Sequence, residues 1–134
     1  GITDITLSLS YQPDKIQQIL GNGSELGVTL RYITEPSPLG TAGAYRFAMD
    51  GMNETTVVFN GDILTDIDIA KLVEFHHEKA AEATISLVRV DDPTRYGLAE
   101  ADTDGRLVKF VEKPKADEAD TFEINTINAG IYIL

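Results

Sequence analysis

The sequence predicts an α/β fold: a Rossmann-like, doubly wound, mainly parallel sheet with a β-hairpin insertion. Three observations predict it. Segments rich in β-branched residues alternate with segments of helical period from Ile5 to Val90. Asp104-Gly105 then stands between two strand-like runs, a strong hairpin-turn signal. Finally, Val57-Val58-Phe59 leads directly into Asn60-Gly61-Asp62. A short continuous apolar run suits a strand buried on both faces. The residues that end such a strand sit where open α/β sheets bind ligands.

Taken in order, Ile5, Leu7 and Leu9 alternate with Thr6 and Ser8, which predicts a first strand. Pro13 suits the first turn of a helix, Ile16, Ile19 and Leu20 form its apolar stripe, and Gly21 stops it. Gly21-Asn22-Gly23 follows a helix and not a strand, so it reads as a turn and not a phosphate loop. Val28 to Glu35 is β-branched and aromatic, a second strand. After the Pro36–Gly40 loop, Thr41 to Met52 is Ala-rich with Tyr45, Ala48 and Met52 at helical spacing. Asp68 to Lys79 reads as a helix with Ile69, Leu72, Val73 and His76 on one side, and Ala83 to Val90 as a strand. Leu98 to Thr103 and Arg106 to Glu112 are the hairpin strands, ended by Lys113-Pro114. The acidic, Ala-containing stretch Lys115 to Glu123 reads as a loop or short irregular helix, and Asn128 to Leu134 as the final strand.

The 134 residues show no inter-domain linker and no internal repeat, so residues 1–134 are expected to form a single domain. Both ends look cut: Gly1 leads almost at once into strand-like sequence, and the chain stops inside the apolar run Ile131-Tyr132-Ile133-Leu134. A fragment truncated at both ends is therefore expected. The balance of 22 acidic against 11 basic residues, net -11, argues against a nucleic-acid or anionic-membrane partner. It still permits an anionic small-molecule substrate, because a bound divalent cation supplies local positive charge. The absence of Cys excludes disulfides, thiolate metal sites and a cysteine nucleophile. No apolar run is long enough to span a bilayer and no signal-peptide pattern is present, so a cytoplasmic location is the default.

Several constellations bear on chemistry. Asp62 places a carboxylate at the end of the central apolar run; it reads as a metal ligand for phosphate chemistry or equally as a turn or helix cap. Leu39-Gly40-Thr41-Ala42-Gly43 opens a helix, where unpaired N–H groups and glycines admit a nucleotide or phosphate; the alternative is a Thr41 cap with glycines that ease packing. Glu112-Lys113-Pro114 puts a carboxylate beside an ammonium at a strand end, either a phosphate-holding pair or a solvated one. Asn128 in Asn128-Ala129-Gly130 binds a hydroxyl or closes a turn. His76 and His77 adjoin on a helix and cannot share a ligand. Asp66 and Asp68 look like helix-capping residues, and Asp91, Asp92, Asp102 and Asp104 like turn residues.

Together these stretches resemble the sugar-phosphate nucleotidyltransferases, in particular the mannose-1-phosphate guanylyltransferase branch. The resemblance rests on Glu35-Pro36-Ser37-Pro38-Leu39-Gly40-Thr41-Ala42-Gly43, Val58-Phe59-Asn60-Gly61-Asp62, Asp92-Pro93-Thr94-Arg95-Tyr96-Gly97, Val108-Lys109-Phe110-Val111-Glu112-Lys113-Pro114 and Asn128-Ala129-Gly130-Ile131-Tyr132, in that order. It implies the nucleotide-diphospho-sugar transferase type of fold. It also implies transfer of a nucleotidyl group from a nucleoside triphosphate, GTP favoured, to a sugar 1-phosphate, mannose 1-phosphate favoured, with release of pyrophosphate. The implied sites are Glu35 and Leu39, Gly40, Thr41, Ala42 and Gly43 for the nucleotide, and Tyr96, Gly97, Glu112, Lys113 and Asn128 for the sugar phosphate. Asp62 is implied as the ligand of Mg²⁺, with Asp62 and Lys113 as the catalytic pair. A homo-oligomer is compatible with the resemblance.

Two other readings stand beside it. A non-catalytic relative that senses nucleotide sugars would share these residues. A phosphoacceptor receiver domain would share a central Asp and a later Lys-Pro, but it needs an acidic pair where Leu7-Ser8-Leu9-Ser10 stands. The family's glycine-rich signature loop, with its Arg and Lys, would precede Gly1, and a second metal-binding Asp would follow Leu134. The 134-residue chain on its own is accordingly expected to form no nucleotide sugar from GTP and mannose 1-phosphate; product detected by chromatography would overturn that expectation.

Overall fold

The computed structural model describes residues 1–49, 54–92, 96–111 and 125–134. The chain divides into two compact units, Gly1–Glu54 and Thr55–Leu134.

In the first unit, β1 (Asp4–Leu9) and β2 (Thr29–Thr34) pair in parallel, from Asp4 opposite Thr29 to Leu9 opposite Thr34. Parallel neighbours need a crossover, and α1 (Pro13–Leu20) supplies it, with Pro13 in its first turn. Gly21 ends the helix at φ 57, its N–H bonded to the Gln17 carbonyl. The Tyr32 hydroxyl donates to the Gly21 carbonyl at 2.7 Å and ties that end to β2. Gly21-Asn22-Gly23 is a turn, as the sequence predicts, and leads into a 3-10 turn at Ser24–Leu26. Of the expected apolar stripe only Ile16 is half-buried; Ile19 and Leu20 are exposed. After β2, α2 (Gly40–Ala48) begins one residue before the expected start.

The second unit is a five-stranded sheet of β3 (Val57–Phe59), β4 (Thr84–Arg89), β5 (Leu98–Ala101), β6 (Leu107–Val111) and β7 (Thr126–Ile133). The helix α3 (Ile69–Glu78) links β3 to β4. Asp68 caps α3, its carboxylate accepting the Lys71 N–H at 3.2 Å; Ile69, Leu72, Val73 and His76 are covered, as the spacing predicts, and Phe75 is half-buried beside them.

Strand direction refines the expected sheet. Tyr132 of β7 is paired with Val58 of β3 and with Ile85 of β4, so these two strands flank β7 on opposite edges. Each is antiparallel to β7, hence β3 and β4 run parallel to one another, as a β-α-β link requires, with β7 between them. The β5–β6 hairpin forms around Asp102–Arg106, where the Asp102 side chain accepts from Asp104 N–H at 3.0 Å and Arg106 N–H at 2.9 Å. It joins the sheet through Leu98 opposite Ile127.

The apolar core lies on two strands: Leu98 and Ala99 of β5 with Ile127, Ile131 and Ile133 of β7. The strand expected to be buried on both faces, β3, is instead half-covered, and Phe59 is 40% exposed. It is a three-residue strand, and its hydrogen-bonded neighbour among the described residues is β7 alone. Among the described residues no helix is long and apolar enough to cross a membrane.

β7 is not regular. Ile85 and Leu87 of β4 oppose Tyr132 and Asn128, so Ala129, Gly130 and Ile131 stand opposite Ser86 alone. The bulge turns on Gly130, whose φ is +75. A Cβ there would lie 2.8 Å from Asn60 Nδ2 and 3.1 Å from two carbons of Ile63. Gly130→Ala therefore meets both an unfavourable backbone conformation and a clash, and should lower unfolding free energy by about 1–3 kcal/mol, measured by urea denaturation.

Candidate active site

The loop before α2 is held by Glu35. One carboxylate oxygen of Glu35 accepts from the Ser8 hydroxyl at 2.9 Å and the other from the Leu39 N–H at 3.0 Å. The N-cap residue of α2 is Leu39, which has no side-chain cap bond, and Glu35 satisfies the backbone N–H of that N-cap residue, one of the donors a helix start leaves unpaired. Thr41 lies inside the helix, so the Thr41 cap considered from sequence does not form. Gly40 adopts φ +70, and a Cβ on Gly43 would approach Leu39 Cβ to 2.9 Å. The glycines therefore permit the tight entry into α2. Leu39, Gly40, Thr41 and Ala42 are exposed, and Leu39, Gly43, Arg46 and Phe47 line a shallow hollow. Ser8 gave no signal in the sequence beyond alternation, because its partner is a residue at the end of the next strand.

In the second unit the loop after β3 is fixed to β7. Asn60 N–H donates to the Gly130 carbonyl at 2.9 Å, and Ile63 N–H to the Asn60 carbonyl at 3.2 Å, which closes a turn with Asp62 in it. The Asp62 carboxylate is exposed. Among the described residues no group of three or more His, Cys, Asp and Glu could hold a metal ion as a closed cage. Mg²⁺ keeps several waters and is commonly held by one or two carboxylates plus substrate phosphates. An open carboxylate on a fixed turn fits that mode of binding.

The sheet also brings Gly97 to Asn128, whose N–H donates to the Gly97 carbonyl at 3.1 Å. Tyr96, beside Gly97, is exposed. Val111 lies opposite Leu98, which lies opposite Ile127, so β6 delivers the chain to the end of the sheet that holds Gly97 and Asn128. Glu112 and Lys113 follow at once and lie outside the described residues, as do Pro93, Thr94 and Arg95. The Asn128 side chain closes a turn, Oδ1 accepting from Gly130 N–H at 2.9 Å, while Nδ2 donates to the Tyr132 hydroxyl at 2.8 Å. Among the described residues these are the partners of the amide, which has capacity for one further N–H donation and one further accepted bond. Tyr132, not singled out as a site residue from sequence, is the partner that orients this amide.

His76 takes a structural role. His76 is buried and its Nδ1 lies 2.9 Å from Thr84 Oγ1; His77 is exposed, with its ring 5.5 Å from that of His76.

The whole chain, residues 1–134, matches the model of the nucleotidyl transferase family. It is 40% identical to a mannose-1-phosphate guanylyltransferase of Mycobacterium tuberculosis, over 99% of this chain and 36% of the relative. It is 36% identical to the mannose-1-phosphate guanylyltransferase catalytic subunit beta of Dictyostelium discoideum, over 99% of this chain and 37% of the relative. The chain thus spans little more than a third of the length of these curated relatives. Among solved structures, HddC from Yersinia pseudotuberculosis superimposes with TM-score 0.81 at 34% identity, covering 100% of this chain and 56% of that one. HddC complexed with GMP-PN gives TM-score 0.77 at 34% identity over 97% of this chain and 55% of that one.

The two bonds of Glu35 give its carboxylate a measurable structural role. Glu35→Ala should cost about 1–2 kcal/mol in stability and speed hydrogen exchange at the Leu39 amide, both followed by NMR under native conditions.

Proposed function

Because the chain belongs to the nucleotidyl transferase family, we propose that the whole protein transfers a nucleotidyl group from a nucleoside triphosphate to a sugar 1-phosphate. GTP and mannose 1-phosphate are the favoured pair. One observation carries this reading: the chain aligns from end to end with mannose-1-phosphate guanylyltransferases, at 40% identity to the one from Mycobacterium tuberculosis. The geometry agrees with it, since β7 ties the Asp62 turn and the Gly97–Asn128 pair to one strand. The GMP-PN complex of the similar HddC structure supports a guanine nucleotide.

In this reaction an oxygen of the sugar 1-phosphate attacks the α-phosphorus of the triphosphate. A new P–O bond forms, the bond from that phosphorus to the β-phosphate oxygen breaks, and pyrophosphate departs. Two anions must be held in line, so the protein contributes position and charge neutralisation. In the proposal, the Leu39–Gly43 backbone holds the base and ribose, with the exposed start of α2 facing the ligand. Asp62 holds Mg²⁺, which when bound neutralises phosphate charge. The spare N–H and lone pair of Asn128 meet a sugar hydroxyl, Tyr96 and Gly97 border the sugar, and Glu112 takes further hydroxyls. Lys113 holds the sugar phosphate as a point charge. Glu35, with both oxygens engaged inside the unit, orders the nucleotide loop. A cytoplasmic location belongs to the same proposal.

Steady-state kinetics of the whole protein test these roles. Asp62→Asn should lower kcat by about a hundredfold or more, with a raised Mg²⁺ requirement. Lys113→Ala should act chiefly on the KM for sugar 1-phosphate. A wild-type kcat and Mg²⁺ dependence in Asp62→Asn would remove Asp62 from the site.

A further inference from the structure

We propose that Asn128 and Tyr132 form a latch across the β7 bulge that positions the Asn60-Gly61-Asp62 turn, making both of them positioning residues for the Asp62 carboxylate. The proposal rests on the reading of Asp62 as a metal ligand. It adds to Asn128 a role other than contact with sugar, and it brings in Tyr132.

The chain of contacts is continuous. Tyr132 Oη accepts from Asn128 Nδ2 at 2.8 Å, and Asn128 Oδ1 accepts from Gly130 N–H at 2.9 Å. The same Gly130 uses its carbonyl to accept from Asn60 N–H at 2.9 Å. The Asn60 carbonyl in turn accepts from Ile63 N–H, and Asp62 sits inside that turn. Packing supports the bonding: Asn60 Nδ2 and Ile63 lie against the bare Cα of Gly130.

The Asn128–Tyr132 bond also reports the bulge itself. Residues four apart on a regular strand are separated by about 13 Å, beyond the combined reach of an amide and a phenol on one face. The bond forms because Ala129, Gly130 and Ile131 are gathered opposite Ser86. Breaking it removes a restraint that keeps those residues gathered, and with them the carbonyl that fixes Asn60. Both side chains are half-buried, so water competes poorly for the bond. Tyr132 itself is anchored by its pairing with Val58 and Ile85 on the two edges of β7.

Two measurements on the full chain test the latch: amide hydrogen exchange without metal, and Mn²⁺ titration followed by paramagnetic broadening near Asp62. Tyr132→Phe and Asn128→Ala should speed exchange of the Asn60 amide by about tenfold. They should also weaken Mn²⁺ binding by about tenfold. Asn128→Asp keeps an acceptor for Gly130 N–H and can accept the Tyr132 hydroxyl proton, so it should hold Asn60 exchange within about twofold of wild type. The Thr56 and Leu134 amides, bonded across β3 and β7, control for loss of the sheet. If Asn128→Ala loses those as well, Tyr132→Phe and Asn128→Asp decide between latch and no latch. Wild-type Asn60 exchange and Mn²⁺ affinity in Tyr132→Phe would overturn the latch, as would an Asn128→Asp chain that exchanges as fast as Asn128→Ala. Unchanged Mn²⁺ affinity in Asp62→Asn would instead overturn the metal reading, leaving Asn60 exchange to judge the latch alone.

Discussion

The second unit depends on β7 being hydrogen-bonded along both edges. One edge carries β4, and the other carries β3 at its later half and β5 near its start. Among the described residues, three of the five buried apolar side chains, Ile127, Ile131 and Ile133, belong to it. Burying a side chain of that size stabilises by roughly 1.5–3 kcal/mol, so β7 concentrates apolar gain on a backbone whose polar groups are already paired. Such a strand cannot move without disturbing three neighbours. That makes it a firm support for the turn that carries the Asp62 carboxylate.

The irregularity of β7 is as informative as its pairing. A bulge leaves backbone groups without ladder partners, and each must be bonded elsewhere. Here the Gly130 N–H goes to the Asn128 side chain, while the Gly130 C=O accepts from the Asn60 N–H one position beyond the Phe59–Ile131 pair, in register with the β3–β7 ladder. The irregularity lies in the pairing with β4, and the edge facing β3 keeps its register up to Asn60. The glycine is required twice, for its positive φ and for the space its missing Cβ leaves to Asn60 and Ile63.

Local signals in the sequence carried most elements to within a few residues. Pro13, Gly21, Asp68 and Asp104-Gly105 act through backbone geometry of their own neighbourhood, and each took the place its chemistry implies. Strand order is a different kind of information. Nothing in Thr126–Ile133 says that it will lie between β3 and β4, because its pairing is decided by partners far along the chain. The same limit applies to the candidate site. Asp62 and Asn128 were visible as polar residues at strand ends, whereas the Ser8–Glu35 bond and the reach of Tyr132 across four residues depend on tertiary geometry. The resemblance places Glu35 at the nucleotide, and its two oxygens bond Ser8 and the Leu39 N–H of the loop before α2. Asn128 admitted two uses, a turn and a hydroxyl contact. It makes the turn and, among the described residues, bonds Gly130 and Tyr132 with one oxygen lone pair and one N–H.

Charge sets the remaining constraint. A chain of net charge -11 repels phosphates at long range, by an amount that falls off beyond a Debye length of roughly 8 Å at physiological salt. Under the proposed reaction, any attraction for a triphosphate and a sugar phosphate must therefore be local. A carboxylate such as Asp62 contributes to that only by holding a cation, since alone it adds to the repulsion. A cation held by one carboxylate and completed by substrate phosphates binds well only when the carboxylate is already in position, because little else in the coordination shell is protein. Most of the burden then falls on backbone order. The Gly130–Asn60 bond, fixed by a buried strand and by an oriented amide, supplies that order in the part of the chain where an acidic surface most needs it.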